Sequence, residues 1–248
     1  MKTYRIVGMA FIVILLGFTA SVLLQITPPV TTEGKEITYT NSNVVPPEKV
    51  FIDMDNGILY IIKNTTISGW YLMAKYKEKD SPPSITFSNK TLSINFDNGI
   101  LKLYVNRLNV LDFSLINGNS KVILYNITCS LKGHMINGEM DLILLNSNLT
   151  INTNLMNGKI TVSAYNVKMN GNITVLNGDI KADIYTNHGG EINYIVGNGD
   201  AEVLAINFNV EKYISDSGVN GRVYREGENL NLNLKVSNGE ITLLVVGL

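Results

Sequence analysis

The feature that most constrains the fold of this chain is an Asn-Gly pair that returns about every 20 residues. The pairs at Asn117, Asn137, Asn157 and Asn177 are separated by steps of 20. A fixed period that covers nearly the whole chain is the signature of a repeat architecture. Asn56 lies 42 residues before the next pair, which suggests two steps with one degenerate turn between them. The remaining members of the series are Asn98, Asn198, Asn220 and Asn238.

Polar and apolar residues alternate on both sides of each pair, as in residues 155–162, LMNGKITV. A period of two indicates strands with one buried face, and each coil supplies at least two of them. A second asparagine series follows eight to ten residues after the first. Asparagine tolerates the left-handed backbone of a tight corner, and stacked asparagines can hydrogen-bond as a ladder. The predicted Asn-Gly corners are Asn98, Asn117, Asn137, Asn157, Asn177 and Asn198, and the predicted second ladder is Asn106, Asn126, Asn146, Asn166, Asn187 and Asn207.

These patterns predict an all-β fold, a parallel β-solenoid of about 20-residue coils over residues 49–248. An antiparallel β-meander is the alternative, because Asn-Gly between alternating strands is also a strong hairpin signal. The second corner has asparagine without glycine, as at Asn166. Since a meander needs comparable turn chemistry at both corners, the solenoid is favoured.

The N-terminal segment predicts export and membrane attachment. Residues 1–5 carry two positive charges and form a predicted cytoplasmic tail, and residues 6–24 are 19 residues without a charge. That run matches the thickness of a bilayer and predicts a transmembrane helix or signal anchor. A signal peptide cleaved near Ala20 is the alternative. Residues 25–48, with two Pro-Pro pairs, predict an extended stalk. The expected location is therefore the cell membrane, single-pass, with the repeat domain outside.

The motif apolar-Asn-Gly-x-apolar-x-apolar at residues 155–162 resembles the putative-adhesin family of β-strand repeats. Residues 51–61, FIDMDNGILYI, look like the opening motif of that family, and the resemblance covers about residues 50–248. It implies a β-solenoid and offers no catalytic residues to transfer. Gly-Asp follows the asparagine only at Asn177 and Asn198, so the resemblance does not support a calcium-binding repeat.

Composition argues against several classes of function. A net charge of −1 is unlike a nucleic-acid binder, which carries a basic patch. The single cysteine, Cys129, excludes an intrachain disulfide and a multi-cysteine metal site, and no cofactor is expected. Asp179 and Asp200 fall in one column of adjacent coils and would nearly touch, which leaves a polysaccharide-processing enzyme open as an alternative. Lysines in the same columns, such as Lys159, favour a solvated sheet instead, so no catalytic residue is predicted.

Two further sets of residues are candidates for contact with sugars. Tyr125, Tyr165 and Tyr185 share one position of the coil, with Leu145 between them, and form a possible glycan-binding stripe, or pack beside the asparagine corner. Sequons for N-glycosylation are as frequent as chance predicts, which is about four in this composition. The possible acceptors in this set are Asn64, Asn89, Asn148 and Asn172.

The ends of the repeat depart from its period. Residues 63–97 lack an Asn-Gly pair and contain Trp70, as a capping repeat would. The chain closes on residues 238–248, an apolar strand with no visible cap, which predicts self-association or a partner at that end. Alternatively, residues 212–234 fold over the end. The sequence thus predicts a membrane-anchored structural or adhesin-like surface module, with a glycan-binding or polysaccharide-processing β-helix as the alternative.

Overall fold

The computed structural model describes residues 36–215 and 218–248, which form 13 strands in one continuous sheet. The described part of the chain is all-β and largely parallel, with stacked asparagine ladders, the arrangement of a β-solenoid. The strands are β1 Glu36–Asn43, β2 Lys49–Lys63, β3 Trp70–Lys77, β4 Ser84–Ser88, β5 Thr91–Val105, β6 Val110–Tyr125, β7 Thr128–Leu145, β8 Asn148–Tyr165, β9 Lys168–Thr186, β10 Gly190–Ile206, β11 Asn209–Ser215, β12 Gly218–Arg225 and β13 Leu230–Gly247.

Each long strand is one coil, folded at its Asn-Gly pair into two facing halves. In β7 every second residue is buried up to Met135, and the buried series restarts at Met140. The interval of five shifts the alternation, so both halves turn their apolar residues inward. Contact between the halves follows: Ser120 Oγ of β6 donates a hydrogen bond to Met135 Sδ of β7 at 3.1 Å. We call the halves before Asn-Gly the first layer and those after it the second layer; the core lies between them.

Eight coils stack in parallel and in register. In the middle of the stack each coil pairs with the one about 20 residues further on, as Asn137 with Asn157 and Asn157 with Asn177. The core is a ladder of Ile, Leu, Val and Met with exposed fractions near zero. Parallel pairing of the coils is incompatible with the antiparallel meander.

The order of the coils differs from their order in the sequence at both ends. The stack reads β5, β2, β6, β7, β8, β9, β13, β10, so β2 lies between β5 and β6 and β13 lies between β9 and β10. The expectation of a degenerate coil between Asn56 and Asn98 is therefore wrong, because the two pair directly. The expectation of an open C-terminal strand is also wrong, since β13 is paired on both sides.

Antiparallel strands cover the ends of the stack. At one end β4 pairs with the first half of β5, β3 pairs with its second half, and β1 pairs with β3. Trp70, the residue that marked a predicted cap, is 3% exposed and meets the Phe87 ring edge-on at 5.8 Å. At the other end β12 pairs with the first half of β10, and β11 pairs with β12. Of residues 212–234, which were expected as a possible cap, 212–215 and 218–225 lie at this end, whereas 230–234 begin β13 inside the stack.

The predicted N-terminal segments fall largely outside the described residues. This applies to the tail at 1–5, the anchor at 6–24 and residues 25–35 of the stalk at 25–48. In the described part of that stalk, Glu36–Asn43 is strand β1, so the prediction of an extended linker is wrong for this stretch. Across residues 36–215 and 218–248 there is no helix with the length and apolar character to cross a bilayer.

Candidate functional site

The Asn-Gly corners form a continuous ladder of side-chain hydrogen bonds along one edge of the stack. Asn157 Nδ2 donates to Asn137 Oδ1 at 2.8 Å, and Asn177 Nδ2 donates to Asn157 Oδ1 at 2.9 Å. Asn220 belongs to antiparallel strand β12 and is not a member, although its spacing suggested one. The ladder joins, in stacking order, Asn98, Asn56, Asn117, Asn137, Asn157, Asn177, Asn238 and Asn198.

Glycine follows these asparagines because the backbone there has a positive φ. The eight ladder glycines have φ between 132° and 140°, a region that residues with a Cβ rarely adopt. A Cβ built on Gly158 would also collide with the carbonyl oxygen of Gly138 in the neighbouring coil. The pair is therefore a structural requirement of close stacking at this corner.

The second corner depends mainly on backbone conformation and less on hydrogen bonds between side chains. Asn126, Asn146, Asn166 and Asn207 have φ between 45° and 61°, the left-handed conformation expected of them. Among the described corners of this series, one bond joins two asparagine side chains, from Asn166 Nδ2 to Asn146 Oδ1 at 3.1 Å. Asn106 and Asn187 are also at corners but are outside the group with positive φ. The second series therefore marks the turns without forming a continuous ladder.

An open groove of about 380 Å³ runs along this second corner. Asn126, Asn146, Asn148, Lys168 and His188 contribute to its lining, which is mostly polar, with asparagine as its commonest residue. Burial chiefly lowers the pKa of His188, and the nearby charges of Lys168 and Arg225 lower it further. These cations oppose the imidazolium that a catalytic histidine must form, so His188 does not resemble the base of a hydrolytic triad.

The tyrosine column is present in the register, with Leu145 between Tyr125 and Tyr165. Tyr125, Leu145, Tyr165 and Tyr185 pair in that order on the outer side of the second layer, and all are half-buried. Lys63 Nζ lies 4.9 Å from the centre of the Tyr125 ring. Sugar rings need an accessible aromatic face, and Lys63 occupies one face of the Tyr125 ring.

The carboxylate pair expected in adjacent coils is separated by another acid. Because β13 lies between β9 and β10, Glu240 stands between Asp179 and Asp200, so the prediction that these two nearly touch is wrong. Asp179 Oδ1 accepts a hydrogen bond from the backbone N–H of Glu240 at 3.0 Å. The pKa of Asp200 is lowered, first by the backbone N–H of Ala201 and then by Lys212. A general acid needs a raised pKa, so this column has the character of a solvated surface.

Cys129 and the possible glycosylation sites have separate environments. Cys129 is 4% exposed, and burial raises the pKa of its thiol to about 11, as for an inert core cysteine. Asn89 and Asn148 are exposed. Asn64 Oδ1 accepts hydrogen bonds from the backbone and hydroxyl of Thr66, and Asn172 Oδ1 accepts one from Asn233 Nδ2. No group of three or more His, Cys, Asp or Glu side chains within the described ranges is arranged to hold a metal ion.

Sequence reasoning missed a surface covered by amides. On β8, β9 and β13, the outward residues of the first layer are almost all Asn or Thr and are mostly exposed. The signal was present as asparagines at a spacing of two, but they lie outside the two corner series. We call this surface the amide face and define it by Asn152, Asn154, Asn170, Asn172, Asn231 and Asn233.

The second half of β10 is a sheet edge. Among the described strands it pairs only with β13, since β12 covers the first half alone. Leu204 is 59% exposed and Ile206 is 47% exposed on this edge. Ile214 on neighbouring β11 is 74% exposed. Lys212 Nζ donates a hydrogen bond to the Ala201 carbonyl of this edge at 2.6 Å. Apolar side chains along a strand edge that lacks a partner strand are typical of an edge that accepts another strand.

Several solved structures are similar to the all-β, largely parallel stack of this chain. A putative cell adhesion protein from Clostridium sporogenes matches with a TM-score of 0.46 and 15% identity, over 86% of this chain and 100% of that one. A putative adhesin from Bacteroides fragilis matches with a TM-score of 0.33 and 13% identity, over 86% and 98%. One from Parabacteroides merdae matches with a TM-score of 0.30 and 14% identity, over 86% and 97%.

Neither a family model nor a curated protein sequence matches this chain. The solved structures are described as adhesins, the class that the repeat motif of the chain resembles. Their identities to this chain are low, so their descriptions assign no activity to it.

Proposed function

We propose that this protein is a membrane-anchored, extracytoplasmic β-solenoid that acts as a structural or adhesin-like surface module and not as an enzyme. The observation that supports this most directly is the unbroken Asn-Gly ladder through all eight coils. It holds two continuous outer sheet surfaces in register. Extended surfaces of this kind serve contact with large partners, whereas catalysis requires a cleft with convergent polar groups.

Anchoring rests on residues 6–24, which are apolar, uncharged and long enough to span a bilayer. Fractionation of cells that express the full chain tests it. We expect the chain to stay with the membranes after an alkaline carbonate wash, and external protease to digest the repeat domain on intact cells. Intact mass then separates the two N-terminal alternatives, because a cleaved signal peptide removes about the first 20 residues. Release of an uncleaved chain by carbonate would refute the anchor.

Self-association belongs, in this proposal, to the end of the stack formed by β10 and β11. The exposed Leu204 and Ile206 and the one-sided pairing of β10 support this location. Charges at the two ends are partly paired within the chain, Lys75 with Glu36 at 3.3 Å and Lys212 with Asp200 at 3.4 Å. The apolar edge of β10 therefore carries this proposal, and charge does not.

Sedimentation of the full chain in detergent measures this association. We expect concentration-dependent oligomers in the wild type and a monomer for Leu204→Lys, because a lysine at an edge opposes strand pairing. Leu176→Lys is the matched control, since Leu176 is 45% exposed but lies on β9 inside the stack. A wild type that is monomeric at every concentration, or equal effects of the two variants, would exclude association at this end.

Glycan binding is the second candidate function, and the amide face favours it. Asn and Thr side chains offer the neutral donors and acceptors that sugar hydroxyls match. Polysaccharide cleavage has less support. Of the described carboxylates with a shifted pKa, Glu48, Asp200 and Glu211 are all lowered, so they stay ionised and do not act as proton donors near neutral pH.

A further inference from the structure

The amide face is a grid of asparagines, with Thr150 and Thr174 at two of its positions. Asn152 pairs in register with Asn172, Asn172 with Asn233, and Asn170 with Asn231. Neighbouring strands are about 4.8 Å apart, and outward residues of one strand are two positions, or about 6.7 Å, apart. The surface therefore presents the same amide chemistry at fixed intervals in two directions.

Hydrogen bonds between side chains on neighbouring strands order part of this grid, and they leave other donors and acceptors of the amides available. Asn193 Nδ2 donates to Asn233 Oδ1 at 3.2 Å, and Asn233 Nδ2 donates to Asn172 Oδ1 at 3.1 Å. An amide has two N–H donors and two acceptor lone pairs, so each member retains groups for a ligand. Ordered side chains lose less conformational entropy on binding than free ones do.

The face carries little charge, and this restricts the partner that it selects. Its charged residues lie at the border: Lys168 and Lys235 on β9 and β13, and Lys132 and Glu191 on the flanking strands β7 and β10, where they pair in register with Asn152 and Asn231. On the opposite layer, β9 alone presents Asp179, Lys181 and Asp183 on its outer side. A charged polymer would therefore meet more complementary groups on the opposite layer, whereas the amide face matches an uncharged polymer with many hydroxyls.

An apolar ridge adjoins the amide face. Met156 on β8 is 43% exposed and Leu176 on β9 is 45% exposed, at the same position of successive coils beside the Asn-Gly ladder. Sugar rings have apolar faces as well as hydroxyls. A ridge next to a row of amides can pack against the ring faces while the amides bind the hydroxyls.

We propose that the amide face, with this ridge, binds a neutral polysaccharide along the direction of the stack. This proposal specifies the class of ligand that an adhesive role would use. It depends on the proposed function in one respect, that the amide face lies outside the cell. Direct binding by the purified chain is measured without membranes, so its failure is distinguishable from a failure of anchoring in cell fractionation.

Affinity electrophoresis of the full chain in detergent is the test, in native gels cast with a neutral, an anionic or a cationic polysaccharide. Suitable probes are glucomannan and hydroxyethyl cellulose as neutral polymers, alginate as the anionic polymer and chitosan as the cationic one. The chain should come from a host without N-glycosylation, because a glycan on the sequon at Asn172 would cover the face. We expect retardation by at least one neutral polymer. No retardation by any neutral polymer, or stronger retardation by alginate or chitosan, would overturn the proposal.

The decisive variant is the triple substitution Asn152→Ala, Asn170→Ala and Asn231→Ala. These residues are not part of the Asn193–Asn233–Asn172 ladder, so the substitutions leave that order in place. We expect binding to the retarding polymer to weaken at least tenfold, with an unchanged circular dichroism spectrum and thermal midpoint. A change of less than threefold would overturn the proposed site.

The control removes three uncharged polar groups from the outer side of the second layer: Thr161→Ala, Ser163→Ala and Thr242→Ala. These residues lie on β8 and β13, two of the strands that carry the amide face, so the number of lost polar groups and the strands involved are comparable. Wild-type retardation by the control supports the proposal. An equal loss in both triple variants would place the binding elsewhere and overturn it.

Discussion

Removing one rung from the Asn-Gly ladder should cost stability in proportion to the hydrogen bonds that the rung makes. Asn157 makes two, donating to Asn137 at 2.8 Å and accepting from Asn177 at 2.9 Å. Asn198, at the end of the ladder, makes one, donating to Asn238 at 2.8 Å. Asn157→Ala and Asn198→Ala are therefore matched substitutions that differ in the number of ladder bonds removed.

The expected magnitudes follow from this difference. A net hydrogen bond contributes about 0.5–1.5 kcal/mol, and the exposed position of the ladder places these bonds toward the lower part of that range. Asn157→Ala should thus cost about 1–2 kcal/mol and Asn198→Ala about half as much. The groups left behind on Asn137 and Asn177 lie at the surface, where water satisfies them, so no burial penalty is added.

Equilibrium unfolding of the full chain in urea, followed by circular dichroism, measures both variants. We expect lower midpoints with an unchanged dependence on urea, because neither substitution alters the surface exposed on unfolding. The shift for Asn157→Ala should be about twice that for Asn198→Ala. Equal shifts would refute the reasoning from bond number. A shift of zero for Asn157→Ala would show that the ladder does not stabilise the stack.

Three further outcomes follow from single sites. Gly158→Ala should cost more than about 3 kcal/mol in the same assay, because φ is 136° and the new Cβ meets the Gly138 carbonyl. Cys129 should react with iodoacetamide at pH 8 at least about a hundredfold more slowly in the native chain than in urea, since burial raises the pKa of its thiol from 9.0 to about 11. The pKa of Glu211 is lowered, first by its hydrogen bond from Arg222. The stability that this pair contributes is therefore present above about pH 4.5 and is lost as pH falls. Arg222→Ala should remove that contribution and so flatten the acid side of a profile of melting temperature against pH.

The sequence predicts the coil but not the neighbours of each coil. A buried alternation that shifts at Asn-Gly is a local property, so residues 155–162 are enough to indicate two inward-facing halves. Adjacency is not local. Asn56 donates to Asn98 and accepts from Asn117, and any other coil would offer the same partners. Because the corner motif is identical in every coil, its spacing cannot show which two coils meet.

The same equivalence explains the error at Asn220. Its spacing fits the series, yet Gly221 is not among the glycines with positive φ, and the segment pairs antiparallel with β10 and β11. One difference was visible in the sequence: Asn220-Gly221 is followed by Arg222-Val223-Tyr224-Arg225, with fewer apolar residues than the core strands. The apolar alternation after the Asn-Gly pair, rather than the pair itself, distinguishes a coil of the stack from the antiparallel strand β12.

The candidate surfaces were predicted less well than the fold, for a physical reason. A side chain in a column is placed by the period, but whether it is accessible depends on what packs over it. Tyr125 occupies its predicted column, and Lys63, 62 residues earlier, covers its ring. The amide face was overlooked because its asparagines follow the strand period of two and not the coil period of about 20.

The two ends of the stack are arranged in the same way. At each end the outermost parallel coil, β5 or β10, pairs with antiparallel strands that are near it in sequence. The coil just inside each outermost coil pairs with a segment that is distant in the sequence: β2 pairs with β6, and β13 pairs with β9. Asn238 of β13, for example, bonds to Asn177 of β9 across 61 residues. Both ends are therefore closed by contacts between segments that are far apart in the sequence, and the local spacing of the corner motif does not reveal such contacts.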